Sequence, residues 1–175
     1  QPNYTITANT SDAWQANLFF QVGGPPVKPV KIVDSTGIEI FSENFGKKGW
    51  DFKVNYNNKL SYFDRLSKGW FIMDSLQNEV DSVYCLNGYT ADLHDFLALA
   101  NGNYVLFAYD NQPYAMDTVV TGGDPNAMVE GLIIQELDAN HNLIFEWKSW
   151  DHFHVTDNIY LDLTSPNLPF IHTNA

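Results

Sequence analysis

The side chains best suited to chemistry here are histidines, and four of the five, His94, His152, His154 and His172, fall where loops meet strands. An imidazole titrates near neutrality and can donate a hydrogen bond, accept one or ligate a metal. His94 stands in Asp92-Leu93-His94-Asp95-Phe96 at the opening of a strand, and His172 in Ile171-His172-Thr173-Asn174-Ala175. Asp151-His152-Phe153-His154 puts two imidazoles at i and i+2, which on a strand face the same way and make half of a zinc or copper site. His94 or Asp95 completes that site only if the fold gathers them. Taken singly, each histidine is more simply accounted for as a surface residue or a satisfied core residue.

The acids give weaker signals. Asp92, Asp95, Asp110 and Asp117 surround the His94 strand and suit acid–base work, yet solvated loop acids account for them as well. Asp138-Ala139-Asn140-His141-Asn142 imitates the start of a calcium loop, but Leu143 stands where glycine is needed and Ser149 where the closing glutamate belongs. A hairpin turn is the simpler expectation. Cys85, the single cysteine, lies in a strand-like run and reads as a buried, inert thiol with no base beside it. No serine elbow, phosphate-cradling loop or nicotinamide fingerprint occurs.

Short β-type runs must position these residues. They fall at 17–22, 30–34, 38–42, 50–54, 60–63, 70–73, 80–86, 96–99, 104–109, 132–137 and 143–147, separated by Asp, Asn and Gly clusters. No segment keeps a 3.6-residue apolar period. At Phe96-Leu97-Ala98-Leu99-Ala100 a short helix competes, and the Asn101-Gly102 turn that follows favours a strand. Two turns alternate. One is Asn-Asn or Asn-Gly feeding an aromatic strand, at Asn57-Asn58 and again at Asn101-Gly102, about 44 residues on. The other is led by aspartate, at Asp34, Asp74 and Asp138. The first two of these are about 40 residues apart, and a polar insert at 111–127 delays the third.

A repeat of roughly 40 to 50 residues carrying four short strands is the mark of propeller blades, each of which must stack on the next to bury its faces. The expected class is therefore all-β, with four-stranded antiparallel blades. A sandwich or jelly roll also gives short strands but gives no reason for two turns to alternate. At that repeat length 175 residues make about three to four blades, an incomplete propeller. The expected organisation is an N-terminal extension at 1–16 and first blades at 17–175, continuing beyond the chain end.

Composition excludes some partners. Acids outnumber bases 21 to 9 for a net charge of −12, and Arg65 is the only arginine. No basic patch is available for nucleic-acid phosphates. No apolar run approaches the roughly 18 to 20 residues that span a bilayer. The chain starts at Gln1, which suggests a leader already removed and a secreted, periplasmic or cell-surface protein; Asn3 and Asn9 open glycosylation-type triplets.

Several blocks occur in an order that resembles the bacterial arylsulfotransferase family. They are Asp92-Leu93-His94-Asp95-Phe96 with Asn101-Gly102-Asn103, then Ile134-Gln135-Glu136-Leu137-Asp138, then Phe145-Glu146-Trp147-Lys148-Ser149-Trp150-Asp151-His152, and finally His172-Thr173-Asn174-Ala175. The resemblance covers roughly 32–175 and corresponds to that family's N-terminal portion. It implies a propeller enzyme that moves a sulfuryl group from an aryl sulfate donor to a phenolic acceptor through a sulfohistidine, with no cofactor and no metal. By motif, His94 and His172 correspond to channel histidines that bind sulfate. Asp95, His152 and Asn174 are accessory positions without an assigned role. The family's nucleophilic histidine and sulfate-binding arginine lie after the last block, and Arg65 does not correspond to that arginine. The resemblance therefore implies an inactive fragment whose open sheet edges are covered by the rest of its propeller or by a partner chain. The alternatives are a non-catalytic propeller that binds at the cell surface, and a metal-binding module built on His152 and His154.

Overall fold

The computed structural model describes residues 7–8, 10–21, 29–44 and 49–172. Asn3, Asn9, Val22 and Asn174 lie outside the described residues. The chain is all-β, as its short runs predict, and its strands form three sheets in which strands that follow one another pair antiparallel, the short last strand excepted. It divides into two compact units, Gln1–Val83 with Ala98–Asn101, and Tyr84–Leu97 with Gly102–Ala175.

The first unit holds two sheets. Strands β1 (Leu18–Gln21), β2 (Val30–Val33) and β3 (Glu39–Glu43) follow one another in the first, and β4 (Gly49–Val54), β5 (Leu60–Asp64), β6 (Gly69–Met73) and β7 (Glu79–Val83) in the second. Strands β2 and β5 are buried at every residue, Lys31, Ser61 and Asp64 included. Val30, Ile32, Phe52, Leu60, Tyr62 and Met73 make one core, with Phe19, Phe41 and Phe71 packed on it. The buried polar groups in β5 have partners: Ser61 Oγ accepts from Asn55 Nδ2 at 2.8 Å, and the Asp64 carboxylate accepts from the Leu66 and Ser67 amides. Tyr62 is also bonded to Glu79. Arg65 lies over the Trp50 ring, 5.2 Å from its centroid, a structural use for the chain's one arginine.

The second unit is one five-stranded sheet. Strands β8 (Ala91–Ala98), β9 (Tyr104–Tyr114), β10 (Ala127–Leu137) and β11 (Leu143–Lys148) run in sequence order. The short β12 (Asn167–Leu168) pairs parallel with Met128 and Val129 of β10, on a stretch of β10 that β11 does not reach. The polar insert expected at 111–127 is partly strand, since β9 continues through Asn111, Gln112 and Pro113 opposite Glu130, Val129 and Met128. A 3-10 turn at Met116–Thr118 follows. The 80–86 run is shorter than expected: β7 ends at Val83, and the Leu86 backbone is taken by a side chain instead. Cys85 is half-buried, and burial, helped by the charges of Asp92 and Glu146, pushes its thiol up to about 12, so it is inert as expected.

The three aspartate-led turns share one geometry. In each, the Asp amide donates to the carbonyl four residues on, at 2.9 to 3.0 Å, and a carboxylate oxygen accepts the amides at +2 and +4. The residue at +3 is left-handed: Gly37 at φ 86°, Gln77 at φ 63° and His141 at φ 63°. A register shift follows on the strand before each turn, the signature of a three-residue hairpin loop with a bulge. The turn closes β2–β3, β6–β7 and β10–β11, the last hairpin of each sheet.

Hydrogen bonds hold all three carboxyls below the ordinary value of 3.8, first from the side chains of Thr36, Asn78 and Asn142 and then from backbone amides. Because the folded value lies below the unfolded one, the stabilisation is complete above about pH 4 and is lost as pH falls through the lowered values. Changing Asp34, Asp74 and Asp138 together to Asn, which keeps an accepting oxygen without a titration, is expected to flatten the acid limb of stability below pH 4. Urea midpoints measured from about pH 2 to 6 check this; an unchanged acid limb would refute it.

Candidate functional site

His94 is the fourth residue of β8, inside the strand and not at its opening, because the strand starts earlier than apolar residues alone indicate. Two residues before it, Asp92 points to the same side of the strand. Asp92 Oδ1 accepts the His94 backbone N–H at 2.9 Å and lies 2.5 Å from His94 Nδ1. Both groups are shielded, the Asp92 side chain being 15% and the His94 side chain 33% exposed, so this contact is stronger than a surface pair.

His172 is brought to His94 by the segment that follows β12. Phe170, in the core, donates its amide to the Leu168 carbonyl at 2.9 Å, and its own carbonyl accepts from Asn158 Nδ2 at 3.0 Å. The Ile171 amide reaches the Glu130 carbonyl of β10 at 3.3 Å. The His172 ring then lies near-parallel to Tyr109 of β9, with the phenol oxygen 3.0 Å from Nδ1. The two imidazoles meet edge to face, with centroids 4.9 Å apart. Residues far apart in the sequence, and in different blocks, thus share one site.

Beside His172 opens a cleft of about 340 Å³ lined by Phe153, Asp157, Asn158, Phe170, Ile171 and His172. Two aromatic side chains, an imidazole, an amide and a carboxylate make a lining suited to a small aromatic ligand with polar substituents. Asp157 also accepts the His154 backbone N–H at 2.8 Å, which fixes the turn that forms one wall.

The other expected residues are engaged elsewhere. Asp95 follows His94 and by alternation points to the other side of β8, where Oδ1 accepts the Phe96 amide at 2.7 Å. The His152 ring stacks on Trp147 at 5.0 Å. His152 and His154 lie between 3-10 turns at Ser149–Asp151 and Val155–Asp157, so the strand alternation that would aim both rings one way does not apply. Among the described residues no group of three or more His, Cys, Asp or Glu side chains could hold a metal ion. Asp138 serves its hairpin, as the simpler expectation had it, Asp110 Oδ2 accepts from the Trp150 indole N–H at 3.1 Å, and Asp117 sits exposed in the 3-10 turn after β9.

Much of what the motif blocks do is structural. The buried Gln135 side chain accepts the Leu86 amide at 2.8 Å and donates to the Leu86 carbonyl at 3.2 Å and to Glu146 at 2.7 Å. Burial opposes ionisation of Glu146, but hydrogen bonds from Gln135, Asn87 and Lys148 outweigh it and hold the carboxyl below its ordinary range. Glu136 accepts from Asn103 at 2.7 Å, and Ser149 Oγ accepts the Leu132 amide at 2.9 Å. Tyr109 and Phe170 are functional candidates that residue-by-residue reading misses. Tyr109 reads only as the end of a strand, and nothing in its neighbours signals that its ring meets a histidine 63 residues away.

A comparison with known protein families finds no family model that matches the chain, and no curated protein matches it in sequence. No helix among the described residues is long and apolar enough to cross a membrane.

Proposed function

We propose that this chain is part of an arylsulfotransferase-like β-propeller, secreted, periplasmic or at the cell surface, and that His94 and His172 bind the sulfate group of an aryl sulfate ester. The observation that carries the reading is the edge-to-face meeting of these two rings at 4.9 Å, beside a cleft with two aromatic side chains in its lining. The motif blocks name the same two histidines independently. The propeller is supported by an antiparallel meander in each sheet, joined in the third by the short parallel β12, and by one aspartate-led hairpin ending each meander. In this reading an imidazole N–H of the pair donates to a sulfate oxygen and stabilises charge as the ester bond breaks, while the aryl ring lies in the cleft. Sulfuryl transfer to a phenol would run through a sulfohistidine elsewhere in the propeller.

Titration of the chain with para-nitrophenyl sulfate, followed by the imidazole resonances, tests the binding. The His94 and His172 signals are expected to move together, and His94→Ala or His172→Ala to weaken affinity about tenfold, equivalent to about 1.4 kcal/mol. Absence of any shift at millimolar ester, or binding indifferent to both substitutions, would overturn the reading. Release of nitrophenolate that depends on an added phenol, measured on the protein carrying this chain, tests transfer. Binding without such release would support the non-catalytic propeller instead.

A further inference from the structure

We propose that His94 and His172 are held as opposite tautomers, making a proton acceptor and a proton donor side by side, and that Asp92 and Tyr109 are the positioning residues that set them. The tautomers rest on geometry alone; their assignment to substrate groups rests on the sulfotransferase reading above.

Asp92 fixes the first ring. A carboxylate only accepts, so the 2.5 Å contact to His94 Nδ1 places the proton on Nδ1. The same carboxylate oxygen also holds the His94 backbone N–H, so it cannot follow the ring if the ring turns. A neutral His94 therefore carries its lone pair on Nε2. Tyr109 sets the second ring in the other sense. A phenol is the better donor of the Tyr109–His172 pair, and its O–H directed at Nδ1 leaves the His172 proton on Nε2. Two imidazoles in contact thus present unlike nitrogens: an acceptor from His94 and a donor from His172.

That asymmetry divides the work of the site. Two donors would merely bind an anion. One donor and one acceptor fit a sulfate oxygen next to a phenolic hydroxyl, which is the pair of groups present when a phenol meets a sulfuryl group. His172 Nε2–H bonds the sulfate oxygen. His94 Nε2 takes the phenol proton: the O–H bond breaks, the N–H bond forms, and the electron pair stays on the phenolate oxygen. The imidazolium so formed is stabilised by Asp92. His94 thus serves the ester site through its ring, which packs edge to face on His172, and not as a second donor. His172 alone bonds the sulfate oxygen, and His94 Nε2 acts on the acceptor phenol.

Two-bond proton–nitrogen correlation spectra of the ligand-free chain, taken at about pH 8 where histidine side chains are ordinarily neutral, read the tautomers directly. The expected result is protonated Nδ1 for His94 and protonated Nε2 for His172. Asp92→Ala is expected to move the His94 proton to Nε2, and Asp92→Asn, whose amide oxygen still accepts, to restore Nδ1–H. Tyr109→Phe is expected to leave His94 unchanged and to mix the His172 tautomers. Finding Nε2–H on His94 in the unmodified chain, or no response to Asp92→Ala in a folded variant, would overturn the proposal. In binding, Asp92→Ala is expected to weaken phenol about tenfold while retaining para-nitrophenyl sulfate; equal loss of both ligands would refute the division of work. Opposite tautomers in a chain that binds no aryl sulfate would leave the positioning roles standing and remove the sulfotransferase reading alone.

Discussion

Gly131→Ala is expected to destabilise the second unit by about 2 to 3 kcal/mol, the range for overpacking plus a disturbed hydrogen bond. Gly131 lies on β10 opposite Asp110, under the Trp150 indole. A Cβ there would stand 2.5 Å from Trp150 Cε2 and Nε1 and 2.9 Å from Ser149 Oγ. The indole cannot swing aside freely, because its N–H is bonded to Asp110 and its ring packs on Phe170, 6.1 Å between centroids. Ser149 cannot yield either without releasing the Leu132 amide. Urea unfolding followed by tryptophan fluorescence measures the loss. Phe170 and Ile171 lead directly to His172, so the same variant is expected to bind para-nitrophenyl sulfate more weakly. A variant of unchanged stability would show that the Trp150 packing is dispensable.

Gln135→Leu is expected to cost about 3 kcal/mol, although leucine matches the volume and the position is buried. The glutamine amide holds both backbone groups of Leu86 as a neighbouring strand would, across 49 residues of sequence. Leucine leaves that N–H and carbonyl without these partners, and removes the Gln135 hydrogen bond that helps to lower the Glu146 carboxyl. The folded Glu146 value is depressed, so its contribution exists above about pH 4.5 and fades as pH falls through the lowered value. The variant is therefore expected to lose most stability at neutral pH and less in acid. Equilibrium unfolding at pH about 7 and about 3 checks both parts; a change within about 0.5 kcal/mol at neutral pH, the usual range for surface substitutions, would refute the clasp.

Where strands are buried, the sequence announces them. Val30–Val33, Leu60–Asp64 and Gly69–Met73 are dense in β-branched and aromatic residues because both of their faces are largely shielded, and their positions are legible to within a residue or two. Legibility fails where a strand is held by ladder bonds alone. Asp110, Asn111, Gln112 and Pro113 extend β9 with no apolar signal, since backbone pairing to β10 needs no apolar side chain. Asp92, His94 and Asp95 hide the start of β8 for the same reason. The i and i+2 spacing of His152 and His154 misleads in the opposite direction, because it implies a shared face only on a strand and the backbone there makes 3-10 turns.

The site is legible in part. His94 and His172 stand out by residue type and motif, and the fold brings those two together. Their partners divide by distance. Asp92 is within two residues of His94, close enough to be noticed as a neighbouring carboxylate. Tyr109 meets His172 only through the path of the chain after β12, which no local pattern encodes. The glycine under Trp150 is equally silent, since its requirement comes from a ring brought back by the β10–β11 hairpin.

The two-residue β12 has a kinetic consequence. Strands β8 to β11 pair between neighbours in sequence, so Asp92, His94 and Tyr109 are set by contacts that form locally. His172 instead depends on a closure in which Val155, Leu168 and Phe170 seat in a small core and β10 pairs through Met128 and Val129, with one further bond from the Ile171 amide to Glu130. Such a closure can open on its own without unfolding the sheet. The lifetime of the assembled histidine pair is then governed by how long this clasp stays shut, a quantity separate from the stability of the domain.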